Sequence, residues 1–175
     1  THRLQGILNN LLMLTRLQAR GVVREPVDLA ELTRQSIEAH ASQAARRRVR
    51  IQSELPLEII VPGDEPWLRR AVDNLIDNAI AFAEARPEQA PQVTVQLRHE
   101  AERAVLEVKN QGPGISPEIR SRLFERFVTT RRDTGGSGLG LAIVAAVAEQ
   151  HGGRVEVLCP GPPETSFRLT LPAND

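Results

Sequence analysis

Two asparagines spaced four residues apart could bind a ligand or a metal ion from one side of a helix. Asn74 and Asn78 lie in the stretch AVDNLIDNAIAF, and helical apolar spacing predicts a helix over residues 67–85. Asn competes for backbone hydrogen bonds and is a middling helix former, so two on one face need a reason. An amide oxygen can bind Mg²⁺, an ion that takes few protein ligands. The alternative is a pair of asparagines that are exposed or hydrogen-bonded within the core.

Two glycine-rich segments could bring backbone close to a ligand. NQGPGI, residues 110–115, directly follows a predicted strand, and the Asn110 carbonyl could accept a hydrogen bond from an exocyclic amine. GGSGLGL, residues 135–141, opens a predicted helix whose first N–H groups could bind phosphate. A polar loop precedes it instead of a strand, which argues against a dinucleotide-binding Rossmann motif. Taken alone, the first segment is also compatible with a plain tight turn.

The remaining segments must position these residues. Periodicity and breakers predict helices over 1–20, 28–48, 67–85, 117–127 and 138–151. Alternating patterns predict strands over 49–55, 57–62, 93–99, 104–110, 153–159 and 166–172. Asp28 and Asp64 are the expected N-caps of the second and third helices. Hairpin-linked strands favour a mixed sheet with three main helices on one face, an α+β two-layer sandwich preceded by one N-terminal amphipathic helix.

Composition excludes several classes of protein. The chain has 175 residues, of which 41% are hydrophobic and 25% charged, and its 22 basic residues balance 22 acidic ones. This balance argues against a general nucleic-acid or membrane-surface binder. Lys109 is the only lysine and lies in VKNQG, so neither a Walker A loop nor a protein-kinase lysine motif is present. The single cysteine, Cys159, excludes an intrachain disulfide and fits a reducing compartment, and no apolar run reaches membrane-spanning length.

The order and spacing of these motifs resemble the ATP-binding catalytic domain of bacterial sensor histidine kinases, within the gyrase/Hsp90/histidine-kinase/MutL superfamily. NLIDNA looks like the N box, NQGPGI the G1 box, FERF the F box and GSGLGL the G2 box. The resemblance covers about residues 28–172. It implies a Bergerat-type ATP-binding fold, with ATP and Mg²⁺ as cofactors.

The resemblance also implies roles for individual residues. Asn78 would hold Mg²⁺ with Asn74 beside it, and Asn110 would recognise adenine. Residues 128–137 would form a lid, and Arg126, Arg131 and Arg132 are candidate phosphate partners. The other expected cofactor-binding residues are Phe82, Gly112, Gly114, Ile115, Thr130, Gly136, Ser137, Gly138, Leu139, Gly140 and Leu141.

Three positions depart from the family pattern. Asn110 stands where the adenine residue is usually Asp, and its oxygen can still accept from the adenine amine. Ala81 replaces a Lys that is common three residues after the second N-box asparagine, which removes a phosphate contact. Phe82 replaces a Tyr. These changes affect the expected affinity more than the expected fold.

The first residues resemble the second helix of the dimerisation and phosphotransfer domain of these kinases. We therefore expect a partial bundle helix and linker over 1–24 and the ATP-binding domain over 25–175. His2 does not match the phosphoacceptor motif, so the acceptor histidine is expected outside this chain. The expected partners are ATP, a response regulator and a second copy joined through the N-terminal helix. The expected location is cytoplasmic, with membrane attachment only through regions outside the chain.

Three functions follow as hypotheses. The first is a protein-histidine kinase module that binds Mg-ATP and donates the γ-phosphate to a histidine, for onward transfer to a response regulator. The second is an ATP-hydrolysing switch, which Asn74 disfavours because such ATPases carry a Glu base there and an amide takes no proton. The third is a degenerate domain that acts as a non-enzymatic dimerisation or signalling module.

Overall fold

The computed structural model describes residues 2–129 and 138–173. Its helices are α1 (His2–Arg20), α2 (Leu29–Ala39), α3 (Ala41–Arg46), α4 (Glu65–Phe82) and α5 (Gly140–Gln150). Its strands are β1 (Glu25–Asp28), β2 (Arg50–Glu54), β3 (Ile60–Gly63), β4 (Gln92–Glu100), β5 (Arg103–Gln111), β6 (Arg154–Cys159) and β7 (Glu164–Pro172). A 3-10 turn at Arg120–Arg122 lies between β5 and α5.

The main sheet has five strands in the order β2-β4-β5-β7-β6. β2 runs parallel to β4, and every other neighbouring pair is antiparallel. Alternate residues of β4 and β5, such as Val95 and Val108, are buried on the face that α4 and α5 cover, and α2 packs beside α4. The predicted mixed sheet and two-layer sandwich are confirmed.

The structure departs from the local predictions in three places. β1 was not predicted, yet it pairs antiparallel with β3 in a separate two-stranded sheet. It was missed because it is four residues long and contains Pro26, which belongs only in edge strands. The helix predicted over 28–48 is divided into α2 and α3 at His40, whose backbone leaves the helical region. The helix predicted over 117–127 is reduced to the 3-10 turn at Arg120–Arg122, and Phe127 at its expected end has a left-handed backbone, with φ 66°.

The two predicted N-caps behave differently. The Asp28 carboxylate accepts from the Ala30 and Glu31 N–H groups, as expected of an N-cap. Asp64 precedes α4, but its side chain makes no capping bond and instead accepts from the Val23 N–H, 41 residues earlier. Asp64 therefore holds the predicted N-cap position of α4, and its carboxylate ties the segment after α1 to the start of that helix.

Helix α1 is buried on one side and exposed on the other. Leu14 and Leu17, in its second half, are only 2% and 1% exposed, and α1 packs against α5. Leu4, Leu8 and Leu12 are 67%, 52% and 47% exposed and lie four residues apart, so they form one exposed apolar stripe. No helix in the described part of the chain is long and apolar enough to cross a membrane.

Candidate functional site

A cavity of about 200 Å³ lies at the end of the main sheet, on the face that carries the helices. Segments far apart in sequence enclose it: the C-terminal half of α4, the end of β5, the chain from 113 to 129, the first turn of α5 and the start of β7. Its described lining residues are Asn78, Phe82, Asn110, Pro113, Gly114, Ile115, Ser116, Ile119, Leu123, Val128, Thr129, Leu141, Thr165 and Phe167. Six of these were predicted from sequence.

The floor of the cavity is a polar pair in two neighbouring strands. Asn110 of β5 lies directly opposite Thr165 of β7 in the antiparallel register, so both side chains leave the same face of the sheet. They are 3% and 5% exposed. The Asn110 Nδ2 group makes a long hydrogen bond of 3.4 Å to the Gln111 carbonyl oxygen. Thr165 was missed by sequence reasoning, and only the pairing of β5 with β7 identifies it.

The two asparagines of α4 have different surroundings. Asn78 lines the cavity. Asn74, one helical turn earlier, is absent from the lining and donates from Nδ2 to the Gly140 carbonyl oxygen at 3.2 Å. Asn74 therefore fastens α4 to the first residue of α5, whereas Asn78 is part of the cavity wall. Both lie on one side of α4, as predicted, but the structure places only one of them at the cavity.

The turn after β5 allows backbone segments to meet closely. A Cβ added at Gly112 would lie 2.6 Å from the Phe82 carbonyl oxygen at the end of α4. Gly114 has φ +84°, and a Cβ there would lie 2.8 Å from Gly161 and Pro162 backbone atoms. The turn also donates from Gly112 N and Ile115 N to the carbonyl oxygens of Pro163 and Pro160. The glycines let the turn pack between α4 and the β6–β7 loop, and that packing shapes one wall of the cavity.

Apolar side chains make up most of the remaining wall. Phe82, Ile115 and Leu141 were predicted and all line the cavity. Sequence reasoning did not name Pro113, Ile119, Leu123 or Phe167 as site residues, and it expected Val128 only as part of the lid over 128–137. Phe167 packs edge-on against Phe124 of the FERF segment, with ring centroids 6.2 Å apart. The aromatic FERF motif could have indicated that this segment packs beneath the cavity, although not which residues face it.

The G2-like segment reaches the cavity through the first turn of α5. Gly138 O accepts from Phe127 N at 2.8 Å, and Leu139 is fully buried. Gly140 begins α5 and holds the bond from Asn74, while Leu141 lines the cavity. The N-terminal end of α5 thus lies at the cavity, and such an end favours anions.

The arginines predicted as phosphate partners divide into two groups. Arg126 does not line the cavity, and its Nη2 donates at 2.8 Å to Gln18 of α1. Arg131 and Arg132 lie outside the described residues, as do the other predicted positions Thr130, Gly136 and Ser137.

The described lining of the cavity contains no ionisable side chain. Shifted pKa values occur elsewhere. On the outer face of the sheet, burial alone would raise the pKa of Glu107, yet hydrogen bonds from Arg98 and Arg168 hold it below its ordinary value. Burial lowers the pKa of His151, whose Nε2 accepts from Asp64 N at 3.0 Å. The described cavity can therefore bind and orient a ligand, but it supplies no acid or base.

A family model fits the part of the chain that forms this site. The model described as "Histidine kinase-, DNA gyrase B-, and HSP90-like ATPase" matches residues 63–175. The match includes α4, the G1-like turn, the G2-like segment and both strands of the Asn110–Thr165 pair.

Relatives among characterised proteins are also sensor kinases. The chain is 40% identical over 97% of its length to the signal transduction histidine-protein kinase/phosphatase MprB of Mycobacterium leprae, of which it covers 33%. It is 34% identical over 98% of its length to the sensor-like histidine kinase SenX3 of Mycobacterium tuberculosis, of which it covers 42%. The chain thus spans less than half the length of these relatives.

Two solved structures share both fold and sequence with the chain. Full-length ShkA in complex with AMPPNP superimposes with a TM-score of 0.83 and 31% identity, covering 97% of this chain and 36% of that one. The mycobacterial sensor histidine kinase MprB superimposes with a TM-score of 0.70 and 36% identity, covering 87% of this chain and 99% of that one. The predicted family and fold class are confirmed by these likenesses.

Proposed function

The chain belongs to the histidine kinase-, DNA gyrase B- and HSP90-like ATPase family, and from that premise we propose that it binds Mg-ATP in the cavity at the end of the sheet. We propose further that it is the catalytic module of a protein-histidine kinase. It would present the γ-phosphate to a histidine of the sensor kinase, and a response regulator would receive the phosphoryl group afterwards.

One observation carries the nucleotide proposal. Three motifs that are distant in sequence contribute to one cavity: Asn78 from α4, Asn110 and Ile115 around the turn after β5, and Leu141 from α5. The lining is mostly apolar, with a few amide and hydroxyl groups, which suits a flat base that has polar edges. ShkA, the solved relative named above, was crystallised with AMPPNP, an ATP analogue.

The two ends of the cavity suit the two ends of a nucleotide. The buried amide and hydroxyl of Asn110 and Thr165 can hydrogen-bond a base, while Ile115 and Phe167 can pack against its ring. The N-terminal end of α5 offers backbone N–H groups and a partial positive charge to the phosphates. We assign the base to the β5–β7 end and the phosphates to the α5 end.

The residues present fit a magnesium ion that is held mainly by the nucleotide. Mg²⁺ often keeps water and phosphate ligands and takes only one or two from protein. Asn78 offers one amide oxygen at the cavity, and no group of three or more His, Cys, Asp or Glu that could hold a metal occurs among the described residues. Asn78 would hold the ion, which would neutralise phosphate charge. Asn74 would act on it only by fixing the start of α5 beside Asn78.

The placement of Asn74 favours transfer over hydrolysis. An ATPase of this family needs a base for water, and an amide that is hydrogen-bonded to Gly140 O cannot take a proton. The described cavity is also without an ionisable group. The contribution of this chain is therefore to bind, orient and exclude water, which is the main protein contribution to phosphoryl transfer.

The partner proposals rest on α1. Leu4, Leu8 and Leu12 form an exposed stripe at the spacing of a helix-bundle seam. We propose that this stripe joins a second copy of the protein in the full-length kinase, with residues 1–24 as part of the bundle and 25–175 as the ATP-binding domain. The cytoplasm, where ATP and response regulators are found, is the proposed location.

Calorimetric titration with a non-hydrolysable ATP analogue, with and without Mg²⁺, tests the proposal. We expect saturable binding that depends on Mg²⁺ and weakens by about tenfold or more in Asn78→Ala, which loses the proposed ligand. Asn9→Ala is the matched control, because Asn9 is exposed on α1 and absent from the cavity lining. A folded protein that binds no analogue at millimolar concentration would contradict the proposal and favour the non-enzymatic signalling module.

A further inference from the structure

The base end of the cavity is polar but carries no formal charge. Its two buried polar side chains, Asn110 and Thr165, are an amide and a hydroxyl. Each can donate a hydrogen bond as well as accept one. A carboxylate at either position would only accept. The floor of this cavity therefore does not impose a single hydrogen-bonding pattern on the edge of a bound base.

The two kinds of purine differ by an exchange of donor and acceptor at one edge. Adenine presents a 6-amino donor beside the N1 acceptor, whereas hypoxanthine and guanine present a 6-oxo acceptor beside an N1–H donor. An asparagine amide can match the first pattern with its oxygen toward the amine. After a half-turn of the amide about its last bond, the same side chain can match the second pattern.

In its surroundings, the Asn110 amide can make this half-turn at little cost in free energy. Among the described residues, its amide is held by the bond from Nδ2 to Gln111 O, which at 3.4 Å is near the limit for a hydrogen bond. The directly opposed Thr165 has a hydroxyl that can rotate between donating and accepting. The other described side chains that line the cavity carry no charge that would favour one orientation.

Resting on the proposed nucleotide site, we infer that Asn110 makes this a pocket for purine nucleotides of both the 6-amino and the 6-oxo class. Asn110 is then the residue that sets base specificity. The apolar walls select a flat purine ring. The Asn110 amide and the Thr165 hydroxyl can each donate or accept, so together they can bind either the 6-amino or the 6-oxo edge of the base.

Comparison of ADP with IDP in the presence of Mg²⁺ tests this inference. The two ligands differ only at position 6 and the adjoining N1 proton, and inosine lacks the 2-amino group through which a carboxylate could hold guanine. We expect dissociation constants within about tenfold of each other for the native protein, by calorimetry. A preference for ADP above about a hundredfold, the size expected where a site is built to bind one hydrogen-bonding pattern, would overturn the inference.

Asn110→Asp supplies the decisive variant. A carboxylate accepts from the adenine amine but has no donor for the 6-oxo oxygen, so the preference for ADP over IDP should rise by about tenfold or more. Asn9→Asp adds the same charge on exposed α1 and should leave the ratio unchanged. An unchanged ratio in a folded Asn110→Asp protein would overturn the assignment, and the native ratio remains a test if that variant does not fold.

The binding results for ADP, IDP and CDP distinguish a failure of the dual base specificity from a failure of the proposed ATP site. Binding of ADP with rejection of IDP overturns the dual specificity and leaves the ATP site intact. Failure of both ligands to bind overturns the nucleotide site itself. CDP, which carries a pyrimidine, is the third ligand. If CDP binds as tightly as ADP, Asn110 does not determine base specificity, and the inference is overturned.

Discussion

Strands β5 and β7 carry two polar pairs that have opposite characters on opposite faces of one sheet. On the outer face, Glu107 lies across from Arg168, and its Oε1 accepts hydrogen bonds from Arg168 and Arg98. On the inner face, three residues further along, Asn110 lies across from Thr165 and both line the cavity. The outer pair is complementary in charge and satisfied within the protein. The inner pair is neutral and free to adapt to a ligand.

This difference indicates how one sheet separates stability from binding. A buried carboxylate needs cationic partners, because removal of a partner leaves an uncompensated charge in the folded state. A neutral pair costs less to keep beside an open cavity, because amide and hydroxyl groups carry no full charge to desolvate. Because successive side chains of a strand point to opposite faces, the charged pair lies on the outer face and the ligand-binding pair on the inner face.

The largest effect on stability and on nucleotide affinity is expected at Gly112, in the turn that follows β5 and forms one wall of the cavity. Gly112→Ala would place a Cβ 2.6 Å from the Phe82 carbonyl oxygen, so α4 and the turn must separate. We expect the free energy of unfolding to fall by about 3 kcal/mol, with loss of nucleotide affinity. Urea denaturation and calorimetric titration measure the two effects.

Gly6→Ala is the matched control for that substitution. Gly6 lies inside α1 with no atom within 4 Å of an added Cβ, so the change should be neutral or stabilise by up to about 1 kcal/mol. A Gly112→Ala protein as stable as the native one would show that the close approach of α4 and the turn is not needed.

A smaller effect on stability, and none on binding, is expected on the outer face. Glu107→Gln removes the carboxylate that Arg98 and Arg168 share, although Arg98 keeps Glu100 and Arg168 keeps Glu156. It should lower the free energy of unfolding by about 1–2 kcal/mol, since both arginines remain partly exposed. Glu100→Gln removes an exposed partner of Arg98 and should change it by less than about 0.5 kcal/mol. A change in nucleotide affinity in Glu107→Gln would contradict the separation of the two faces.

The same carboxylate predicts how stability depends on pH. The pKa of Glu107 is lowered in the folded protein from the ordinary value of 4.5, so the unfolded chain binds its proton first as the pH falls. Its contribution is fully present above pH 4.5 and is lost as the pH falls through the folded pKa. Urea denaturation below pH 5 should therefore show a smaller loss of stability with acid in Glu107→Gln than in the native protein.

The smallest effect is expected from the hydroxyl at the cavity floor. Thr165→Val keeps the shape of the side chain but removes one hydrogen-bonding group, so nucleotide affinity should fall by about fivefold, or about 1 kcal/mol. Thr170→Val, in the same strand and also buried, lies on the outer face and should leave affinity unchanged. Equal losses in both variants would indicate an effect on the sheet instead of on a base contact.

Local sequence patterns identified cavity residues where a single helix, strand or turn was enough to place them. Asn78, Ile115 and Leu141 were expected at the site from short motifs, and the structure places all three around the cavity. Partners from distant segments were not predicted. Asp64 is the N-cap of α4, but its carboxylate accepts from Val23 N, and Arg126 donates to Gln18 of α1 and does not line the cavity.

The sequence by itself determined the family, the main helices and strands, and the residue types available to bind a nucleotide, because periodicity, turn residues and motif spacing are properties of neighbouring residues. Only the tertiary structure decided that Thr165 faces Asn110, that Asn74 fastens α5 while Asn78 lines the cavity, and that α1 buries Leu14 and Leu17. Those relations depend on strand register and helix packing. Both are set by contacts between segments tens of residues apart, which no local pattern encodes.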